Sequence, residues 1–250
     1  FPRLELWTGR VLVKLVDRLI VHHQVAIDEI VQLYKLDRNK IAVIPHGHYR
    51  DIYSQGIDSL KARRQLNLPE SGKIYLNLGM LKPYKGIERL FALWQDRQSI
   101  LQGNSLLIAG QALDDGYGQM LIEQASETEN VIFHHKFVED EQIHLYFSAA
   151  DVVVLPFERI LTSGSLILAM SYGKPIIAPR LGSIPETLGK ADCLLYDSDD
   201  ELSLLHAIKD STQIDLNALG EIVRESCDRL DWSEIAQRTV SVYQKEAKTL

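Results

Sequence analysis

The sequence predicts an α/β fold, a Rossmann-like doubly wound parallel sheet, on three observations. Apolar residues gather in short unbroken Val/Ile/Leu runs rather than alternating with polar ones, as strands covered on both faces require. Segments with helical apolar spacing separate those runs, the rhythm of βαβ units joined by right-handed crossovers. Two of the strand-to-helix junctions also concentrate glycine, lysine and small hydroxyl residues.

The elements follow in order. Residues 4–15 carry apolar side chains at helical spacing, with Arg3, Arg10 and Lys14 among them, and 18–22 read as a short strand. A second amphipathic helix covers 28–34 and a strand 40–44, ending at Pro45, His46, Gly47 and His48. Residues 51–72 are polar, with a helical patch at 60–66. Strands are then expected at 74–78, 105–109, 131–134, 151–155 and 175–178. Helices at 87–94, 118–127, 141–149 and 165–171 alternate with them, and a last helix, capped by Asp231 or Ser233, runs over 231–245.

Composition sets limits on function. A 46% hydrophobic fraction with net charge −7 over 250 residues excludes a disordered chain and argues against a nucleic-acid partner. Cys193 and Cys227 cannot form a disulfide framework. No apolar run approaches the ~18 residues of a membrane span, and the opening residues lack the pattern of a secretory signal. A cytoplasmic location is therefore expected. Arg3, Arg10, Lys14 and Arg18 beside Trp7 allow a peripheral contact with the inner membrane surface, although a packed helix with a solvated basic side accounts for them equally.

Ligands of an open parallel sheet collect beyond the carboxyl ends of its strands. One such end runs from Leu78 through Gly79, Met80, Leu81, Lys82, Pro83 and Tyr84 to Lys85 and Gly86. Gly79 permits a tight turn, Lys82 and Lys85 supply cationic donors, and the following helix start favours an anion. The second runs from Pro156 and Phe157 through Glu158 and Arg159 to Thr162, Ser163, Gly164 and Ser165. Thr162 or Ser163 suits a helix cap, while Gly164 lets a ligand approach the first-turn amides. A solvated loop and a plain helix cap account for either segment alone; the pairing at one sheet edge points to a diphosphate. Neither is a Walker loop or a dinucleotide fingerprint.

Other candidates are weaker. Asp197, Ser198 and Asp199 match a metal-binding DxD but sit in an acidic, solvated loop. His22 with His23, and His134 with His135, would point to opposite faces of a strand. His46 and His48 read as crossing-loop residues, and Cys193 as a buried, inert thiol. No metal site is assigned, and no nucleophile elbow is present.

The order of these segments, with Phe137-Val138, the run from Ala150 to Pro156, Ala169 to Ala178 and Gly182 to Glu186, resembles the family-4 retaining glycosyltransferases. Lys40 to Gly47 resembles that family's interdomain crossing, and Trp232 to Tyr243 its closing helix. The resemblance implies a GT-B architecture with a nucleotide-sugar donor in the C-terminal domain and a glycan or lipid-linked glycan acceptor on the N-terminal one. It assigns residues 1–46 to the tail of the N-terminal domain, 47–230 to the donor domain and 231–250 to the closing helix. The rest of the N-terminal domain is expected to be missing, leaving the fragment inactive alone.

By the same resemblance Lys85 holds the donor diphosphate, Gly164 and Ser165 offer amides to the distal phosphate, and Phe137 and Val138 border the base. The expected reaction is sugar transfer with retention and without metal or further cofactor, with Glu158 a candidate catalytic carboxylate. Two family glutamates are replaced by Ile160 and Leu168, and a usual arginine by Met80. Those departures keep two alternatives in view: a nucleotide-binding module without transferase activity, and a GT-B epimerase or phosphorylase.

Overall fold

The computed structural model describes residues 2–96, 101, 103–200 and 202–247. The chain begins with α1 (Pro2–Leu15), β1 (Leu19–Val21), α2 (Val25–Tyr34), β2 (Ile41–Val43) and α3 (Ser59–Gln65). It continues through β3 (Ile74–Leu78), α4 (Ile87–Asp96), β4 (Ser105–Gly110), α5 (Asp115–Glu127), β5 (Val131–His135), α6 (Asp140–Ala149) and β6 (Val152–Val154). There follow α7 (Gly164–Ser171), β7 (Ile176–Pro179), α8 (Ile184–Leu188), β8 (Leu195–Tyr196), α9 (Ser203–Ser211), α10 (Leu216–Asp228) and α11 (Trp232–Ala247). Contacts divide these into two compact units, Phe1–His48 with Asp228–Leu250, and Tyr49–Cys227.

In the first unit β1 and β2 pair in parallel, Leu19 opposite Ile41. Val21, Ala26 and Ile27 form its core, with Leu19, Ile30, Val31, Ile41 and Val43 packed around them. Asp231 caps α11 by accepting the amides of Ser233 and Glu234, which settles the choice of cap. The Trp232 indole donates to the His48 carbonyl at 2.7 Å.

The second unit is built on six parallel strands in the order β5-β4-β3-β6-β7-β8. From β3 the chain winds out through β4 to β5, returns to β6 on the other side of β3, and winds out again through β7 to β8. That reversal places the topological switch point between β3 and β6, where the doubly wound sheet opens a crevice beyond its carboxyl ends. Every residue of β3, β4, β6 and β7 is buried, which is why their sequences run apolar without alternation. Asn77, the polar exception in β3, donates its side-chain amide to the Val154 carbonyl at 2.7 Å and ties β3 to β6 near the switch point.

The α/β expectation holds, and the expected strand at 74–78 has the observed bounds. A helix around Pro185 and Glu186 is implied by the family resemblance and is present as α8, whereas α9, α10 and β8 are not expected from the sequence. Residues Leu195–Tyr196 are too short a strand to register as a run of their own. The helix signal of α10 lies in Leu219, Val223 and Cys227, buried at four-residue spacing. One expectation is corrected: Cys193 is exposed, because Leu194, Leu195 and Tyr196 take the buried positions that follow it.

Candidate functional site

Strand β3 delivers the chain to Gly79, whose φ of +130° lies where side chains are disfavoured. The loop then makes a short 3-10 turn, Pro83–Lys85, and passes through Gly86 into α4. Gly86 sits against the Pro156 carbonyl so closely that a Cβ there would lie 2.2 Å from the oxygen. The Glu158 amide donates to the Tyr84 carbonyl at 2.9 Å. The loops after β3 and β6 are therefore joined backbone to backbone.

Lys85 folds back into this junction and is only 9% exposed. Burial, with help from the neighbouring charge of Lys82, pushes its pKa down to about 8. A Cβ placed on Gly79 would lie 3.2 Å from Lys85 Nζ and 3.4 Å from Ser165 Oγ. An ammonium from the first loop and a hydroxyl from the start of α7 thus meet over one glycine, as the pairing of the two segments requires.

Helix α7 is capped by Ser163, a buried residue whose hydroxyl accepts the Leu166 amide at 3.1 Å. Ser163, not the exposed Thr162, is the cap. With Leu166 satisfied, the amides of Gly164 and Ser165 have no intrahelical acceptor and carry the positive end of the helix dipole. The arrangement sets the Lys85 ammonium and the Ser165 hydroxyl around a space that a side chain on Gly79 would fill, with Lys82 near enough to act on Lys85 electrostatically. Its chemistry is that of an anion cradle.

The remaining predicted residues lie around this centre. Glu158 is exposed, and burial together with the carboxylates of Glu88 and Glu158 raises the pKa of the Tyr117 hydroxyl. Ile160 sits where the loop is gripped by its backbone: a Cβ on Gly182 would lie 2.2 Å from the Ile160 carbonyl, and the Ser183 amide donates to Leu161. Phe137, 62% exposed, and Val138 lie between β5 and α6. Strand β5 is two places from β3, so about 10 Å of sheet separates them from the Gly79 turn.

One residue at the site had no signal in the sequence. The Tyr49 hydroxyl lies 3.4 Å from the position of a Cβ on Gly164. Only the fold brings these distant stretches of chain together.

The chain is similar to known proteins in both sequence and fold. The chain is 27% identical over 203 residues to the GDP-mannose:glycolipid 4-beta-D-mannosyltransferase of Xanthomonas campestris pv. campestris, covering 80% of this chain and 54% of that one. It is 26% identical over 237 residues to the D-inositol 3-phosphate glycosyltransferase of Segniliparus rotundus, covering 91% and 52% respectively. The chain thus spans about half the length of these curated relatives. Among solved structures, sucrose-phosphate synthase from Thermosynechococcus elongatus superposes with a TM-score of 0.82 at 24% identity, over 99% of this chain and 63% of that one. Anabaena HepE in complex with UDP and glucose superposes with a TM-score of 0.70 at 21% identity, over 98% and 66%. The sequence pattern of the family described as glycosyl transferases group 1 matches residues 58–217, a stretch that holds both joined loops and all six strands of the larger sheet. The chain belongs to the glycosyl transferases group 1 family.

Proposed function

We propose that residues 47–230 bind a nucleotide-sugar donor and that the whole protein transfers the sugar to a hydroxyl of a glycan or lipid-linked glycan. The observation that carries this reading is the meeting of Lys85 Nζ and Ser165 Oγ over Gly79 at the switch point. Two neighbouring cations, one of them buried and depressed to about 8, are relieved by a dianionic guest and strained without one.

In this reading Lys85, with Lys82 beside it, and the amides of Gly164 and Ser165 hold the diphosphate. Departure of the nucleoside diphosphate increases the negative charge on its distal phosphate, and fixed donors already aimed at that charge lower the barrier. The chain's own ammonium and amide groups supply this stabilisation in a reaction written without metal. Phe137 and Val138, about 10 Å along the strand ends from the Gly79 turn, border the base at the other end of the nucleotide. Thr162 adds to the diphosphate side, and Glu158 reaches the sugar as the candidate catalytic carboxylate. Residues 1–46 and 231–250 belong to the acceptor half.

Retention at the anomeric carbon follows from the family-4 resemblance. A second stereochemical outcome is favoured by the β-linkage in the name of the Xanthomonas relative. The anomeric configuration of the product, read by NMR, decides between them.

Calorimetric titration with UDP, GDP and ADP tests the donor site. Saturable binding of one of them, lost in Lys85→Ala, is the expected result; no binding of any nucleoside diphosphate overturns the reading. A complete protein that binds the nucleotide yet neither transfers sugar nor hydrolyses donor is a binding module instead.

A further inference from the structure

We propose that the six-stranded unit carries a second anion site, at the amino ends of β6 and β7, which takes a phosphate group between Lys174 and Arg224. It lies at the opposite end of the strands from the Gly79 turn and is independent of the donor reading.

A turn and a helix build the site. Helix α7 ends at Tyr172, and Gly173, at φ +62°, is the left-handed residue that follows. The Gly173 amide donates to the Met170 carbonyl at 2.9 Å and the Lys174 amide to the Ala169 carbonyl at 3.1 Å, the two bonds of a Schellman motif. The chain then enters β7, which leaves Lys174 at the strand's start. Helix α10 packs Gly220 on this turn, where a Cβ would lie 2.7 Å from the Gly173 carbonyl oxygen. Asn217 and Arg224, three residues before and four after, share that helix face. The Arg224 guanidinium lies over the turn, since a Cβ on Gly173 would be 3.0 Å from Nη2. A cavity of about 280 Å³ results, with Lys174, Arg224, Asn217, Asp151 and Ser148 among its walls.

The charges around it are unequally answered. Asp151 Oδ2 accepts from Arg63 Nη2 and from the Ile74 amide, each at 2.7 Å, so this carboxylate is engaged at the strand start. Arg224 meets Glu221 only at 3.7 Å, the outer limit of an ion pair. The Lys174 ammonium gives one of its three N–H groups to the Ala150 carbonyl at 2.8 Å, and among the described residues no carboxylate pairs with it. Burial brings its pKa down to about 8; Asp151 opposes the fall, while Arg224 and Arg63 add to it. An ammonium with donors to spare and a guanidinium beside it favour a guest of two negative charges. Ser148 accepts the Ile57 amide at 2.9 Å, which leaves its hydroxyl proton to donate. Donors therefore come from the β7 turn, from α10 and from the end of α6, three directions that suit a tetrahedral oxyanion better than a planar carboxylate.

Inorganic phosphate is the probe, titrated calorimetrically into the Lys85→Met chain so that the Gly79 crevice does not compete. Saturable binding is expected, weakened at least about tenfold when Lys174→Met or Arg224→Gln is added. Arg224→Gln alters a half-exposed side chain and keeps the test decisive if Lys174→Met loosens the turn. Lys174→Met alone should leave nucleoside diphosphate affinity within about twofold. No saturable phosphate binding, an equal response to sodium chloride at matched ionic strength, or undiminished phosphate affinity in both added variants overturns the proposal. Loss of nucleotide affinity in Lys174→Met also overturns it, because the two sites would then not be separate.

Discussion

Among the described residues of the six-stranded unit two cations are buried, Arg63 and Lys85, and their surroundings differ in kind. Arg63, 5% exposed, spends its guanidinium on protein. It donates to the carbonyls of Ala149 at 3.1 Å, Glu70 at 3.2 Å and Gly72 at 3.0 Å, and to Asp151 Oδ2 at 2.7 Å. The same carboxylate oxygen accepts the Ile74 amide, so the cluster fixes the point where β3 begins. Lys85, at the opposite end of that strand, is 9% exposed and has another lysine for its electrostatic neighbour. Among the described residues no carboxylate pairs with it. A buried charge answered by its own fold is structural; one left facing a like charge anticipates a guest.

That contrast can be broken most decisively at Arg63. Arg63→Met strands the Asp151 carboxylate and should lower stability by about 3 kcal/mol, read from the urea midpoint, with nucleotide affinity of the folded fraction unchanged. A smaller and opposite pattern is expected at Lys85. Lys85→Met should weaken diphosphate binding by about thirtyfold to a hundredfold, while its urea midpoint stays level or rises. Equal stability losses in the two variants would erase the distinction.

Next comes pH. The folded value of Lys85 is about 8, against an ordinary 10.5. The ammonium form predominates below pH 8, so affinity for the diphosphate should hold up to that point and then fall by at most about tenfold per pH unit. Stability runs the other way: between pH 8 and 10.5 the unfolded chain binds the extra proton, so Lys85 contributes increasing stability as pH rises through that window. Titration calorimetry and urea melts at pH 7, 8 and 9 should therefore diverge. The smallest effect belongs to the cap. Ser163→Ala should cost about 1 kcal/mol of stability and, by loosening the first turn of α7, weaken the nucleotide about twofold to threefold.

The same comparison explains what could be seen in advance. Lys85 was legible because glycine, lysine and a helix start stand together within one short stretch, and Ser163 because its residue type and the following apolar run mark a cap. Strands β3, β4, β6 and β7 announced themselves through uninterrupted burial. Arg63 gave no such signal, since its partners at Asp151 and Ala149 are remote in sequence and its own segment reads as a polar helix. Tyr49 was invisible for the same reason. Cys193 was misplaced because an apolar neighbourhood in sequence says which stretch is buried, not which side chain within it.

The contact between Gly86 and Pro156, with the bond from Glu158 to Tyr84, has a consequence for rate as well as affinity. The fold itself ties the loop after β3 to the loop after β6. On the donor-binding reading proposed above, a nucleotide would meet loops already tied to each other, would spend less free energy on ordering them, and would be drawn in by the field of two lysines.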